Sequence, residues 1–193
     1  VDYLEITHIK VQSLSPGNNA GINITDVYFD APVDGGAMGA GAGNDLLMGD
    51  EGDDYINGGA GDDILAGGEG DDRLIAGDGN DTLWSNAGDD VLLGGAGNDH
   101  LYGSAGDDTL TGGTGWDEFQ IGKADGHDIV TDFTPGEDII DLSEWNYNNF
   151  NQIQNDMHLD TDGNVVIELG NDASVTLMGV HDPDDLDADD FGF

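Results

Sequence analysis

Large apolar side chains recur at every ninth position through the middle of the chain, from residue 40 to residue 120. They fall at the eighth position of nonapeptides that begin at residues 40, 49, 58, 67, 76, 85, 94, 103 and 112. So regular an apolar pattern argues against disorder, which is otherwise the expected state of a very acidic chain. The repeated apolar residues are Leu47, Ile56, Leu65, Leu74, Leu83, Leu92, Leu101, Leu110 and Phe119.

Two further positions of the nonapeptide do not vary. The fourth is always glycine and the sixth is always aspartate, through all nine copies. The glycines are Gly43, Gly52, Gly61, Gly70, Gly79, Gly88, Gly97, Gly106 and Gly115. The aspartates are Asp45, Asp54, Asp63, Asp72, Asp81, Asp90, Asp99, Asp108 and Asp117.

The glycines predict the local structure of each repeat. At positions one, two and four they permit backbone angles that other residues avoid, so we expect the first six residues to form a tight turn with inward carbonyls. Positions seven to nine are then a short strand, whose side chains alternate between faces. Position eight points inward and positions seven and nine point outward, as polar or tolerant residues such as Arg73, Thr82 and His100 suggest.

Two nonapeptides make one coil of 18 residues, and stacked coils give parallel strands in two facing sheets. Aspartates that are 18 residues apart become neighbours along the stack. One edge carries Asp45, Asp63, Asp81, Asp99 and Asp117, and the other carries Asp54, Asp72, Asp90 and Asp108. The pattern therefore predicts an all-β parallel solenoid with two rows of like charge.

Three regions follow from composition: residues 1–36, the repeats over 37–120, and residues 121–193. The first has strand-like segments at 3–14 and 22–29, which either cover the open first coil or end a preceding module. The third predicts a strand at 128–133, a turn at Pro135 and Gly136, a short helix capped by Ser143 that reaches Met157, and a hairpin of strands 165–169 and 173–178.

The net charge of the chain limits the classes of partner that it can bind. Its 42 acidic residues face three basic ones, so the formal net charge is −39. Nucleic acids and anionic membrane surfaces bind through positive patches and are excluded as partners. No stretch is apolar enough to insert into a membrane, and a cation is the natural counterpart.

A hard divalent cation resolves the repulsion within the two rows. Carboxylate and carbonyl oxygens without thiolates are the ligands that Ca²⁺ prefers, whereas Mg²⁺ requires stricter geometry and retains its waters. Four gaps between neighbouring aspartates on one edge and three on the other predict about seven Ca²⁺ ions. Because the apolar core is small beside the entropy of ordering a glycine-rich chain, we expect folding to require the metal.

No arrangement of residues favours catalysis. The chain lacks HExxH and GxSxG motifs, and its glycine-rich turns lack the Gly-Lys-Ser/Thr of a phosphate-binding loop. Asp125 and Asp128 lie beside His127 in what resembles a degenerate last turn, and we expect these carboxylates to ligate the metal in preference to the imidazole. Trp84, Trp116 and Trp145 could form a sugar-stacking platform, although packing is the simpler interpretation.

The nonapeptide G-G-x-G-x-D-x-U-x resembles the repeat of the RTX (repeats-in-toxin) calcium-binding proteins, with "GGAGDDILA" and "GGAGNDHLY" as close copies. The resemblance is weaker where Asp50, Ser85, Asn86 and Ser104 replace glycine. It implies a right-handed parallel β-roll in which the nine aspartates and the turn carbonyls bind Ca²⁺. The glycines that supply those carbonyls would be Gly43, Gly52, Gly61, Gly70, Gly79, Gly88, Gly97 and Gly106.

The segments after the repeats extend the resemblance. "GHDIVTDFTPGEDIIDLS" is similar to the region that caps such rolls in serralysin-type proteases and alginate epimerases, and the "VIELGNDASVTLMGV" segment is similar to C-terminal targeting regions of type I secretion. The resemblance implies a secreted, extracellular and non-catalytic module, exported unfolded through an ABC transporter, with room for an upstream catalytic domain. We expect a monomer; the alternative function is a module that binds extracellular polysaccharide.

Overall fold

The computed structural model describes residues 24–29, 36–123 and 126–193, and for residues 24–29 only the strand that they form. The elements in chain order are β1 (Ile24–Phe29), β2 (Ala37–Gly39), β3 (Asn44–Glu51), β4 (Tyr55–Ala60), β5 (Ile64–Glu69), β6 (Arg73–Asp78), β7 (Thr82–Ala87), β8 (Val91–Ala96), β9 (His100–Tyr102), β10 (Thr109–Thr114), β11 (Glu118–Gln120), β12 (His127–Val130), β13 (Ile139–Asp141), α1 (Phe150–Asn155), β14 (Met157–Leu159), β15 (Val165–Gly170), β16 (Ala173–Leu177), two 3-10 turns (Pro183–Asp185 and Ala188–Asp190) and β17 (Phe191–Gly192).

These strands form two sheets with nearly alternating membership. One sheet has the order β1-β3-β5-β7-β9-β11-β13-β17 and is parallel throughout. The other has the order β14-β15-β16-β12-β10-β8-β6-β4-β2, and within it the β14-β15 and β15-β16 pairs are antiparallel. The prediction of an all-β parallel roll, closed by a cap with a short helix and a hairpin, is confirmed.

The core between the sheets is built from the position-eight column. All nine of these residues are fully buried, and each pairs with its counterpart one coil away. The column extends beyond the repeats, because Leu110 pairs with Val130 and Phe119 pairs with Ile140. The cap thus continues the same core rather than starting a separate one.

The strands of the repeats are longer than the sequence predicts. β4, for example, runs from position seven of one repeat to position three of the next, so only positions four to six remain as the turn. Glycine carries no side chain that would indicate a strand, but a parallel ladder is formed by backbone groups alone. The prediction of a six-residue turn and a three-residue strand was therefore wrong for most repeats, whereas β9 and β11 have the predicted three residues.

The cap differs from its prediction in the helix. α1 begins after Asn149 and has six residues, and Ser143 does not cap it. Instead the backbone N–H of Ser143 donates to Asp141, and the indole of Trp145 is buried and donates to the carbonyl of Ile121. These contacts hold the segment before α1 in a turn, so the helix starts later.

The remaining cap strands lie close to their predicted positions. β12 ends at Val130 instead of reaching residue 133, because the Asp132 carboxylate turns back to accept the N–H groups of Gly112 and Gly113. The β15-β16 hairpin turns through Asn171 and Asp172, both with positive φ, as a tight two-residue hairpin requires.

At the front, β1 pairs in parallel with β3. The predicted strand at 3–14 lies outside the described residues, and the role of residues 1–36 stays a prediction. Among the residues that the structure describes, no helix has the length and apolar character needed to cross a bilayer.

Candidate metal centre

The position-six aspartates lie inside the roll, in two rows along its edges. All nine are at most 4% exposed, which is unusual for carboxylates. Eight of them directly precede a strand, and Asp45 lies within β3. From Asp63 onward, each carboxylate reaches the backbone of the coil before it. The rows have the membership that the 18-residue spacing predicts.

One oxygen of each carboxylate is held by backbone. The N–H of Asp63 donates to Oδ1 of Asp81 at 2.7 Å, and the N–H of Asp99 donates to Oδ1 of Asp117 at 2.9 Å. On the opposite edge, the N–H of Asp72 donates to Oδ1 of Asp90 at 2.6 Å. Every donor belongs to the coil before its acceptor, so the ladder runs in one direction.

The second oxygen is left for another ligand. Oδ2 of Asp63, Asp72, Asp81 and Asp99 is buried and has no hydrogen-bond partner among the described residues. A buried carboxylate oxygen without a partner costs on the order of a few kcal/mol. Four such atoms at regular intervals fit a repeated cation site.

Burial also makes these carboxyls hard to ionise without a cation. It raises the pKa of Asp72 and of Asp81 to about 7 and that of Asp63 and of Asp99 to about 6, against the lowering effect of the backbone N–H each accepts. Neighbouring carboxylates of the same row add to the increase for Asp81 and Asp99. A bound cation would reverse this effect by favouring the charged form.

Backbone carbonyls complete the oxygen-rich environment. At each position-four glycine the carbonyl oxygen points at the position-four glycine one coil on, so closely that a Cβ on Gly61 would overlap with the carbonyl of Gly43. The series continues to the carbonyl of Gly106, which faces Gly126. The structure gives this orientation to all eight glycines named as carbonyl donors: Gly43, Gly52, Gly61, Gly70, Gly79, Gly88, Gly97 and Gly106.

The glycine at position one leaves space for the aspartate carboxylate of the same repeat. A Cβ on Gly58 would overlap with Oδ2 of Asp63 and would lie 2.9 Å from the carbonyl oxygen of Ala76 in the next coil. The same overlap with the aspartate of the repeat occurs at Gly94. Strand pairing also skips this position, passing from Asn57↔Ile75 to Gly59↔Gly77. Glycine is favoured here for space, not for an unusual φ as the sequence had suggested.

The donor set is made of oxygen alone. In the described part of the chain no three carboxylate or imidazole side chains converge on one point, so most ligands of any one ion must be carbonyls. Carbonyl-rich, flexible oxygen sites suit Ca²⁺ better than Mg²⁺. The residues therefore fit Ca²⁺, held by the position-six aspartates and the turn carbonyls.

Residues that replace glycine at position two keep the turn intact. Asp50, Asn86 and Ser104 have φ of 97°, 83° and 72°, in the left-handed region that glycine occupies in the other repeats. Asn and Asp tolerate this region better than most residues. The weaker resemblance at these repeats therefore leaves φ at position two in this region, although β9 ends before Ser104.

Both rows continue into the cap. The N–H of Asp108 donates to Oδ1 of Asp128, and the N–H of Asp117 donates to Oδ1 of Asp138, each at 3.1 Å. Asp128 was among the predicted ligands, Asp125 lies outside the described residues, and Asp138 was missed. The missed signal is the half-repeat G-x-D-x-U, which occurs in "GHDIV" and "GEDII" at spacings of 20 and 21 residues instead of 18.

A second ladder at position five was also missed. These side chains are exposed, yet each accepts the position-five N–H of the following coil, as Asp62 does from Asn80 and Asp89 from Asp107. Its direction is opposite to that of the buried ladder. The position-five residues thus brace the turns from outside.

The histidine and tryptophans of the earlier alternatives have separate environments. The exposed ring of His127 lies 3.0 Å from the hydroxyl of Ser174. The backbone N–H of His127 donates to the carboxylate of Asp107. Trp145 belongs to the core, Trp116 is 64% exposed, and Trp84 stacks on Tyr102.

Comparison with known structures finds similar chains. The extracellular lipase LipA from Serratia marcescens is 20% identical with a TM-score of 0.45, over 86% of this chain and 39% of the lipase. The AlgE6R3 subunit from the Azotobacter vinelandii mannuronan C5-epimerase is 22% identical with a TM-score of 0.46, over 90% of this chain and 85% of the subunit. This chain thus spans about two fifths of the length of the lipase. No curated protein matches it.

A family model gives the more direct result. The model for the RTX calcium-binding nonapeptide repeat, which contains four copies, matches residues 39–74, 66–101 and 93–119. These matches cover the nine nonapeptides except Gln120 and include every position-six aspartate. Residues 39–119 of this chain thus match the RTX calcium-binding nonapeptide repeat.

Proposed function

We propose that this chain is a calcium-responsive folding module of an exported protein and has no catalytic role of its own. The observation that carries the proposal is the burial of Asp63, Asp72, Asp81 and Asp99, whose Oδ2 atoms have no hydrogen-bond partner among the described residues. Ca²⁺ binds in the gaps between successive turns, four on one edge and three on the other, and each ion joins two neighbouring coils. About seven ions would offset roughly a third of the formal negative charge.

Calcium acts as the switch between unfolded and folded chain. Without it, folding places carboxylates such as Asp72 and Asp81 in buried positions beside like charges, and the glycine-rich backbone loses its large conformational entropy. With it, each ion supplies the missing partner of the buried oxygens. Since each coil contacts mainly its neighbours, folding spreads cooperatively from coil to coil.

This dependence suits export of an unfolded chain. We place the module outside the cell, where calcium is plentiful, and residues 121–193 at the ABC transporter of a type I secretion system. The support is the resemblance of the "VIELGNDASVTLMGV" segment to C-terminal targeting regions, together with the requirement for calcium. Low calcium inside the cell keeps the chain loose enough for passage.

A calcium titration tests the folding switch. Far-UV circular dichroism and tryptophan fluorescence should show a cooperative gain of β structure with calcium, and burial of Trp145 should shift the emission to shorter wavelength. Mg²⁺ at equal concentration is the matched control and should produce little folding. A chain that is fully folded in excess chelator, or that folds equally in Mg²⁺, would sink the proposal.

A secretion assay tests the targeting role separately. A passenger fused to residues 121–193 should reach the medium from cells carrying a type I exporter and stay inside cells that lack it. The same passenger fused to residues 36–120 is the control and should be retained. Retention of the 121–193 fusion would refute the targeting role and leave the calcium switch unaffected.

A further inference from the structure

The outer face of the eight-stranded sheet carries an aromatic pair that the core does not use. Position-nine residues stack there in register, so that Ala66, Trp84, Tyr102 and Gln120 follow one another from coil to coil. The rings of Trp84 and Tyr102 are stacked with centroids 5.3 Å apart and planes at 27°. Trp84 is 36% exposed, while Tyr102 is half-buried. One face of Tyr102 is thus supported by Trp84.

A cleft of about 290 Å³ opens beside Tyr102. Its polar lining comes from Ser104, Gln120, Lys123 and Glu144, which all follow Tyr102 along the chain. Trp84 does not line it, so the cleft lies on the side of Tyr102 away from Trp84. The roll provides Tyr102, Ser104 and Gln120, and the cap provides Lys123 and Glu144.

This chemistry matches a sugar ring. A pyranose has an apolar C–H face that packs on an aromatic ring and a rim of hydroxyls that need donors and acceptors. The cleft offers a hydroxyl, an amide, an ammonium and a carboxylate around one aromatic side chain, which is the usual make-up of a small polar-ligand site. Its volume falls just below the range of drug-sized pockets, which starts at about 300 Å³, and suits a single ring.

The charges of the cleft and of the whole chain favour uncharged sugars over anionic ones. Lys123 and Glu144 balance each other within the cleft, while the whole chain carries a formal charge of −39. An anionic polysaccharide would be repelled by this field. An uncharged sugar approaches without that penalty.

We propose that the cleft between Tyr102 and the Lys123–Glu144 rim is a binding subsite for a neutral pyranose of an extracellular glycan. The subsite rests on the proposed function, because the sheet that carries Tyr102 forms only in the folded, calcium-loaded roll. Tyr102 stacks on the sugar, Trp84 fixes the ring of Tyr102, and Gln120 and Glu144 hydrogen-bond to hydroxyls.

Titration of the calcium-loaded chain with cellohexaose, mannohexaose and maltohexaose, followed by calorimetry, tests the subsite. We expect saturable binding of at least one of them and a loss of about tenfold or more in affinity with Tyr102→Ala. The matched control is Tyr55→Ala, which removes an exposed aromatic residue from the outer face of the other sheet and should leave the affinity unchanged. No binding of the three sugars, tighter binding of polygalacturonate, or an equal loss in Tyr55→Ala would overturn the proposal.

A second variant protects the test against misfolding. Glu144 is exposed in the cap, so Glu144→Gln should keep the calcium-induced dichroism of the wild type while it weakens sugar binding several-fold. A failed calcium switch appears as dichroism that ignores calcium. A failed subsite appears as normal calcium-induced folding without any heat of sugar binding.

Discussion

The nonapeptide roll and the cap that follows it are similarly rich in aspartate, yet they hold their carboxylates differently. In the cap, both oxygens of Asp138 accept backbone N–H groups, from Asp117 and Thr134, and both oxygens of Asp190 do so from Gly136 and Asp187. In the roll, Asp81 accepts one N–H through Oδ1, and its Oδ2 has no hydrogen-bond partner among the described residues. Under the proposed function, dependence on calcium therefore follows from the number of protein donors per carboxylate and not from acidity alone.

Removal of calcium should produce the largest difference between the roll and the cap, seen in the protection of their amides from hydrogen exchange. In excess chelator we expect amides of β4 to β10 to exchange as in an unfolded chain, because the half-satisfied carboxylates lose their ions. Amides of the β15-β16 hairpin, with Val165, Ile167 and Val175 buried, should keep slower exchange. Hydrogen exchange followed by mass spectrometry measures both, and equal protection of roll and cap in chelator would contradict the comparison.

Substitution of one buried aspartate should have the next largest effect. Asp81→Ala removes the acceptor for the N–H of Asp63 and a ligand on both sides of one coil, so we expect a loss of about 3 to 5 kcal/mol in calcium. Asp62→Ala, at the exposed position five, is the control and should cost about 1 kcal/mol or less. Urea unfolding at fixed calcium compares them, and similar losses would show that burial of the carboxylate is not what matters.

Glycine substitution compares the packing of the two regions at positions of positive φ. Gly97 and Gly163 both have positive φ, but a Cβ on Gly97 would overlap with the carbonyl of Gly79, whereas one on Gly163 meets nothing within 4 Å. We expect Gly163→Ala to cost about 1 to 2 kcal/mol and Gly97→Ala about 2 to 4 kcal/mol, since it adds steric overlap to the strain. Thermal or urea unfolding in calcium gives the difference, and equal costs would rule out close stacking of the turns.

Acidification should have the smallest effect on folding stability, and the sign of that effect should be opposite in the metal-free roll and in the cap. Burial raises the pKa of Asp72 and Asp81 to about 7, so in the metal-free roll their contribution to stability is complete below about 3.8 and is lost as the pH rises through 7. Hydrogen bonds from Asn164 lower the pKa of Asp160 in the cap, so its contribution is present above 3.8 and is lost as the pH falls through the lowered value.

Dichroism in chelator provides the measurement for this effect. The metal-free chain should show more β structure at pH 5 than at pH 8, while calcium-loaded chain serves as the reference at both values. A metal-free roll that loses structure on acidification over this range would show that the buried carboxyls do not control its stability.

The sequence predicted the parts of the fold that the repeat itself encodes. A strict nine-residue spacing places Leu65 over Leu47 and Asp63 over Asp45, since a period of two repeats leaves only one regular stack. Most strand lengths were mispredicted because the glycines at positions one and two have no side chain to signal pairing. The start of α1 depends on the tertiary contact of Trp145 with Ile121, which no local pattern reveals.

The candidate site was predicted in its repeated part and not at its end. Asp138 escaped notice because the chain inserts extra residues before it, which breaks the spacing but leaves the Gly-x-Asp-x-apolar order intact. The outer position-five ladder escaped because exposed Asp and Asn residues are common and only the structure shows their contacts with the next coil. A search for half-repeats at variable spacing would have found Asp138. The position-five ladder can be recognised only from the structure.

The buried aspartate ladder gives the solenoid a polarity that its near-identical coils conceal. Every buried N–H of position six depends on a carboxylate in the coil that follows, and the last two depend on Asp128 and Asp138 of the cap. Coils removed from the front leave the exposed position-five N–H groups without acceptors, whereas coils removed from the back orphan the buried position-six N–H groups. The interior of the roll is therefore completed at its back end, where the cap supplies the last two acceptors.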